Sequence, residues 1–207
     1  MYETMVLVTI LLKVVSSIHY VYCAWTRRTS PVPATWILLL TTMALSLWMY
    51  WHSENKSWTA NIGLMAAFGS TVCIFVGVIA SHIRHKTLVV TFNRVQKGCL
   101  MAGALIVLFW TFTRQPLISY VLVQCIALVG YFATVQKLRS VTSSTEPLFL
   151  WVCVLLSGLS ALYPAWVKSD VFACIYLGRA IPSTVLMVLL IAKIKTNSAP
   201  LSDTASS

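Results

Sequence analysis

Residues 124–151 read QCIALVGYFATVQKLRSVTSSTEPLFLW, and residues 13–36 read KVVSSIHYVYCAWTRRTSPVPATW. The later stretch carries Gln124, Gly130 and Tyr131 along an apolar helix into Lys137 and Arg139. A Ser/Thr-rich turn at 140–145 follows, then Glu146-Pro147 and Trp151. The earlier one carries Lys13 and Tyr20 into Arg27-Arg28, then Thr29-Ser30-Pro31 with Pro33, then Trp36. Lys13 and Gln124, Tyr20 and Tyr131, and Arg28 and Arg139 each lie 111 positions apart, while Trp36 and Trp151 lie 115 apart. A spacing kept through a helix, a basic turn and the next helix points to an internal repeat. Ser70-Thr71-Val72 and Ser183-Thr184-Val185, 113 apart, carry the same offset into a third segment.

Composition supplies the setting. The chain is 58% hydrophobic and 10% charged, with mean hydropathy +0.83, where a soluble domain has about 25% charged residues. A charge at mid-bilayer costs a few kcal/mol or more, so helices crossing hydrocarbon exclude it. The chain therefore reads as membrane-embedded, with the lipid bilayer as its first partner. Its net charge of +10 belongs to loops facing anionic lipid. The cations are spread over short connections with no clustered patch or recognisable motif, so no nucleic acid is expected.

The six cysteines sit singly in or beside apolar runs, without CxxC or zinc-ligand spacing, and are expected to be small core residues. No metal or other cofactor is expected. The first apolar run has no basic stretch ahead of it and no Ala-x-Ala site after it, so it is expected to be retained as a helix.

A spanning helix needs about 20 apolar residues at about 1.5 Å each. Seven segments qualify, at residues 5–25, 35–51, 61–82, 98–113, 116–136, 147–167 and 171–193. The fold class is thus an all-α membrane protein of seven transmembrane helices. The short fourth segment stands outside the repeat, which gives three helices, a linker helix and three more. Residues 1–83 form the first unit, 84–115 a basic loop and the linker, 116–195 the second unit, and 196–207 a disordered polar tail. Alternate connections carry ten Lys and Arg on one side and three on the other. Basic loops stay cytoplasmic, so the N-terminus is expected outside and the C-terminus inside. Trp25, Trp48, Trp51, Trp58, Trp110 and Trp166 fall near helix ends, as an interfacial belt would.

Lys13 and Arg179 each stand about nine residues into a helix, near mid-membrane. Ionisable groups at that depth usually face a bundle interior or a water-filled cavity. Lys13, Ser17 and Tyr20 share one helical face, as do Arg179 and Ser183, while Gln124 and Tyr131 repeat the Lys13–Tyr20 face. Two readings follow. Either the cations snorkel or bond to carbonyls and waters, or they line a cavity with no deep carboxylate, which would favour an anionic or carbonyl-rich solute. Thr71, with Ser70 and Thr184, either lines the route or bonds its own helix backbone. His19 reads as a hydrogen-bonded core histidine. Gly63, Gly69, Gly98 and Gly103 read as close-packing positions.

With these residues in hand, the chain resembles the SWEET and PQ-loop membrane proteins. The match is best with bacterial PQ-loop-like members over Gly130-Tyr131-Phe132-Ala133-Thr134, Lys137, Glu146 and Trp151. The architecture covers about 190 residues, the motif only two short stretches. The resemblance implies two three-helix bundles that rock about a central substrate route. The family's Pro-Gln would fall at Ala133-Thr134 and at Tyr22-Cys23, and this chain has neither residue at either place. The family's sugar-binding asparagines are also missing: Asn61 is at a helix end and the seventh helix has none before Asn197. Sugar specificity is therefore not carried over.

The expected function is a SWEET-like facilitator in the cell (inner) membrane moving a small polar solute, with an anion among the candidates. The substrate-binding set is Lys13, Ser17, Tyr20, Thr71, Gln124, Tyr131, Arg179 and Ser183. The alternative is a binding or sorting receptor of the same fold that does not transport. An enzyme is not expected, because GxSxG, HExxH and acidic metal clusters are absent and only five acidic residues exist. Two units in one chain remove the need for a homo-oligomer without forbidding one.

Overall fold

A computed structural model describes residues 1–54, 56–139 and 146–197. The described residues form seven helices: α1 (Tyr2–Trp25), α2 (Pro33–Trp51), α3 (Ile62–Arg84), α4 (Arg94–Thr113), α5 (Pro116–Arg139), α6 (Leu148–Val167) and α7 (Val171–Asn197). No strand occurs among the described residues. All but α5 are long and apolar enough to cross a membrane, and the apolar part of α5 is Pro116–Tyr131. The chain accordingly reads as an integral, multi-pass membrane protein. The expected turn at 140–145 and the tail beyond residue 197 lie outside the described residues, and so do the side chains of Ala133 and Thr134.

Local chemistry sets the helix ends. Pro33 opens α2, where a proline's missing N–H and fixed φ cost nothing. Asn93 and Gln96 form a capping box, so α4 starts at Arg94 and not near residue 98. Two of the expected loop cations, Arg94 and Lys97, therefore belong to the helix. After α1, α3 and α6 the chain turns through Arg27, Lys86 and Ser169, all with φ between 50° and 59°. In each case the next N–H closes back on the helix: Arg28 to Cys23 O, Thr87 to His82 O and Asp170 to Ala165 O.

Within the first half, α3 is the neighbour common to α1 and α2. In the second, α7 is the neighbour common to α5 and α6. Across the halves α1 packs on α6, α2 on α5, and α3 on α6 and α7, while α4 lies against α2 and α5. Only 28–39% of each spanning window is buried inside the protein, so most helix surface is left to lipid. That explains two corrections. Cys73, Cys125 and Cys174 are exposed, with only Cys23, Cys99 and Cys153 buried, and all six are free thiols. A small apolar residue needs no core where the solvent is hydrocarbon. Trp110, in contrast, is 8% exposed and packs edge-on to Trp48 and His52, so it leaves the expected belt for the core.

The glycines also divide. A methyl at Gly77 would meet Val21 Cγ2 at 2.5 Å, and one at Gly63 would meet Ala161 Cβ at 3.1 Å; nothing lies within 4 Å of Gly69 or Gly98. Close packing thus uses Gly63 and Gly77, and the expectation for Gly69 and Gly98 is withdrawn.

The two ends of the bundle are tied by different contacts. At one, Arg27 reaches His85 Nδ1 at 2.9 Å and Arg84 covers Trp25. At the other, Tyr2 Oη donates to Thr59 Oγ1 at 2.7 Å and Lys168 lies over the Tyr2 ring.

Candidate functional site

The site is built where α5 and α7 face each other, with α2 and α1 completing it. On α5, Tyr120, Gln124 and Tyr131 follow a single helical face; on α7, Tyr176, Arg179 and Ser183 do the same. The two faces meet at Arg179. Its Nε donates to Gln124 Oε1 at 2.7 Å, and its guanidinium lies over the rings of Tyr131 (5.6 Å) and Tyr176 (5.4 Å). Gln124 Nε2 donates onward to Ser46 Oγ at 2.8 Å, and Ser46 donates to the Thr42 carbonyl at 2.7 Å. A chain of bonds therefore runs from α7 through α5 to the backbone of α2.

Arg179 is 9% exposed, and neither terminal nitrogen has a hydrogen-bond partner. An unpaired buried donor carries its full desolvation cost, more when charged. The aromatic faces offset part of it. Arg179 stands eight residues into α7, about 12 Å along a helix that must cross roughly 30 Å of hydrocarbon. Snorkelling is not what it does: its head is held by Gln124 in the interior.

Lys13 is 7% exposed and comes from the opposite half. It lines a cavity of about 10 Å³ with Gly63, Ser157, Tyr176, Ala180 and Thr184. That is room for about one water. Tyr176 is shared, forming the cavity wall on one side and the platform for Arg179 on the other. Lys13 and Arg179 thus stand on two sides of the same tyrosine.

Three acidic residues among those described, Asp170, Glu3 and Glu54, are placed elsewhere. Asp170 caps α7, accepting from Ala173 N–H at 2.9 Å, and also accepts from Tyr50 Oη at 2.7 Å. Glu3 and Glu54 are exposed.

The remaining expected residues separate. Ser17 donates to Lys13 O and lies 2.6 Å from Ser70 Oγ, tying α1 to α3. Thr71 donates to Ala67 O at 2.8 Å and Thr184 to Ala180 O at 2.7 Å, so both bond their own helix. Tyr20 is buried against Trp36, ring centroids 5.1 Å apart, in an apolar cluster with Ile74, Val78 and Leu150. Ser183 Oγ is buried with no partner. His19 is half-buried, tilted on Phe149, and not a core residue.

Four residues enter that the sequence did not single out or set aside. Ser46 and Tyr176 hold Gln124 and Arg179. Asn61, 1% exposed at the start of α3, has neither amide atom bonded, and the buried Tyr120 Oη is also unpartnered. Among the described residues no group of three His, Cys, Asp or Glu could hold a metal ion. Comparison of the chain with family models, curated proteins and solved structures finds no match.

Proposed function

We propose that this protein is a multi-pass membrane transporter: two parallel three-helix units, joined by α4, pass a small polar solute between them by alternating access. The observation that carries the reading is Arg179, a cation deep in a spanning helix with two donors turned into the interior and left without partners. A group so costly in hydrocarbon is normally kept for what it binds.

The repeat is supported by the helix neighbours. Exchanging α1, α2 and α3 for α5, α6 and α7 maps α1 on α6 to α5 on α2, and α1 on α3 to α5 on α7. The matched aromatic pairs agree, with Tyr20 on Trp36 at 5.1 Å and Tyr131 on Trp151 at 6.2 Å. The SWEET-like topology, N-terminus out, is supported by Arg27, Arg84 and His85 gathering at one end while Tyr2 and Lys168 meet at the other. Closed packing above and below the polar residues fits an occluded state. One cluster includes Tyr50, Tyr120 and Phe172, and the other includes Tyr20, Trp36 and Trp151.

Purified protein in sealed liposomes is the test, with labelled sugars, nucleosides, organic acids and amino acids offered outside. Uptake of one class, abolished by Arg179→Met and reduced by Lys13→Met, is the expected result. Unchanged uptake after both substitutions contradicts the site. Binding without uptake makes the protein a receptor.

A further inference from the structure

We infer that the interior site takes a small monocarboxylate, clasped end-on by the two terminal nitrogens of Arg179. The inference rests on reading this interior as a solute site, and deepens it to a substrate class.

The guanidinium presents two edges suited to a carboxylate, one through Nε and one through the paired terminal nitrogens. Gln124 Oε1 occupies Nε at 2.7 Å. That bond fixes the guanidinium plane and leaves the terminal edge, whose two nitrogens are buried and unpartnered. Tyr131 and Tyr176 lie against the guanidinium, so its rim alone remains for in-plane recognition. A planar two-oxygen anion fits such an edge, while a single carbonyl or hydroxyl would satisfy only half of it.

Charge gives the sign. Two cations flank Tyr176, Lys13 across the small cavity and Arg179 over the ring, with Asp170 committed elsewhere, so an anion lowers the electrostatic cost of both. One turn beyond Arg179, Ser183 Oγ adds a third unpartnered buried donor. A monoanion is favoured over a dianion because desolvation cost rises with the square of the charge, which weighs heavily away from water. The terminal nitrogens of Arg179 are buried, and the cavity of about 10 Å³ between Lys13 and Tyr176 is too small for such a group, so binding requires the helices around Arg179 to part.

The experiment is thermal unfolding of the full-length protein in micelles with acetate, lactate and benzoate, against acetamide, lactamide and benzamide, and against inorganic phosphate. At least one carboxylate should raise the midpoint by several degrees while its amide does not, since a ligand bound only to the folded state stabilises it by mass action. Arg179→Lys keeps the charge and loses the fork, and should weaken that affinity roughly tenfold or more. Ser183→Asp places a carboxylate at i+4 from Arg179; it should leave stability undiminished and abolish the response. Ser183→Asn, its neutral counterpart, loses the hydroxyl without adding a charge and should weaken the response without abolishing it. Equal shifts with acid and amide, a response to phosphate alone, a response to none of the probes, or an undiminished response in Ser183→Asp each overturn the inference. Uptake of a neutral solute with no carboxylate response overturns the substrate class and leaves transport standing. A carboxylate response without liposome uptake does the reverse.

Discussion

The two halves of the molecule use the same helix neighbours and hold them by different chemistry. In residues 1–84, α1 crosses α3 at Gly77 against Val21, and Ser17 and Ser70 satisfy each other beside it. In residues 116–197, α5 meets α7 through Gln124 and Arg179, and no glycine there is met so closely. Positions 113 apart in the sequence show the divergence. Thr71 and Thr184 both bond their own helix, but Ser70 is partnered and Ser183 is not. The α1–α3 crossing is tight and satisfied; the α5–α7 crossing carries the unspent donors. A bundle can be stabilised by either, but only the second leaves something for a solute to meet.

The largest effect should come from breaking the tight half. Gly77→Val drives new methyls into a stiff β-branched neighbour and should cost about 3 kcal/mol or prevent folding. Gly69→Ala, with open space around it, should stay within about 0.5 kcal/mol. Yields of monodisperse protein and unfolding midpoints separate them; equal behaviour would mean that the α1–α3 crossing is looser than described.

Next comes the hydrogen-bonded half. Gln124→Leu strips Arg179 Nε of its acceptor and should cost about 1–3 kcal/mol. Adding Arg179→Met should restore most of it, because replacing a buried charge by an apolar group of similar size is often neutral or stabilising. A double-mutant cycle in denaturant measures the coupling. If the two losses simply add, the bond does not matter in the folded protein.

The smallest contrast is the sharpest. Ser70→Ala removes a hydroxyl that Ser17 uses and should cost about 0.6 kcal/mol. Ser183→Ala removes one with no partner and should cost nothing or stabilise slightly. The reverse order would show that Ser183 is the bonded residue.

Much of this was legible in the sequence. Hydropathy located seven helices, and offsets of 111 and 115 residues paired Tyr20 with Tyr131 and Trp36 with Trp151, which pack as two like Tyr–Trp contacts. Burial of the polar residues was legible too, since ionisable groups inside a span usually turn to the bundle interior, and Lys13, Gln124 and Arg179 are all buried. Azimuth was not. Lipid is as apolar as a core, so the residues around a spanning helix do not announce which side faces inward. Cys73 and Gly69 look like core residues and are not, while Ser46 looks like any helical serine and anchors the polar chain. Asn61 was set aside for standing at a helix end, yet packing of α3 against α6 and α7 buries that end.

The central claim is a polar route between the halves that opens alternately to each face. Ser183→Cys, with the six natural cysteines replaced, tests it directly in sealed vesicles through modification by a small, charged, membrane-impermeant thiol reagent. The account predicts labelling from either face, slowed when a bound solute occludes the site. Labelling from neither face, or from one face only under every condition, would contradict it.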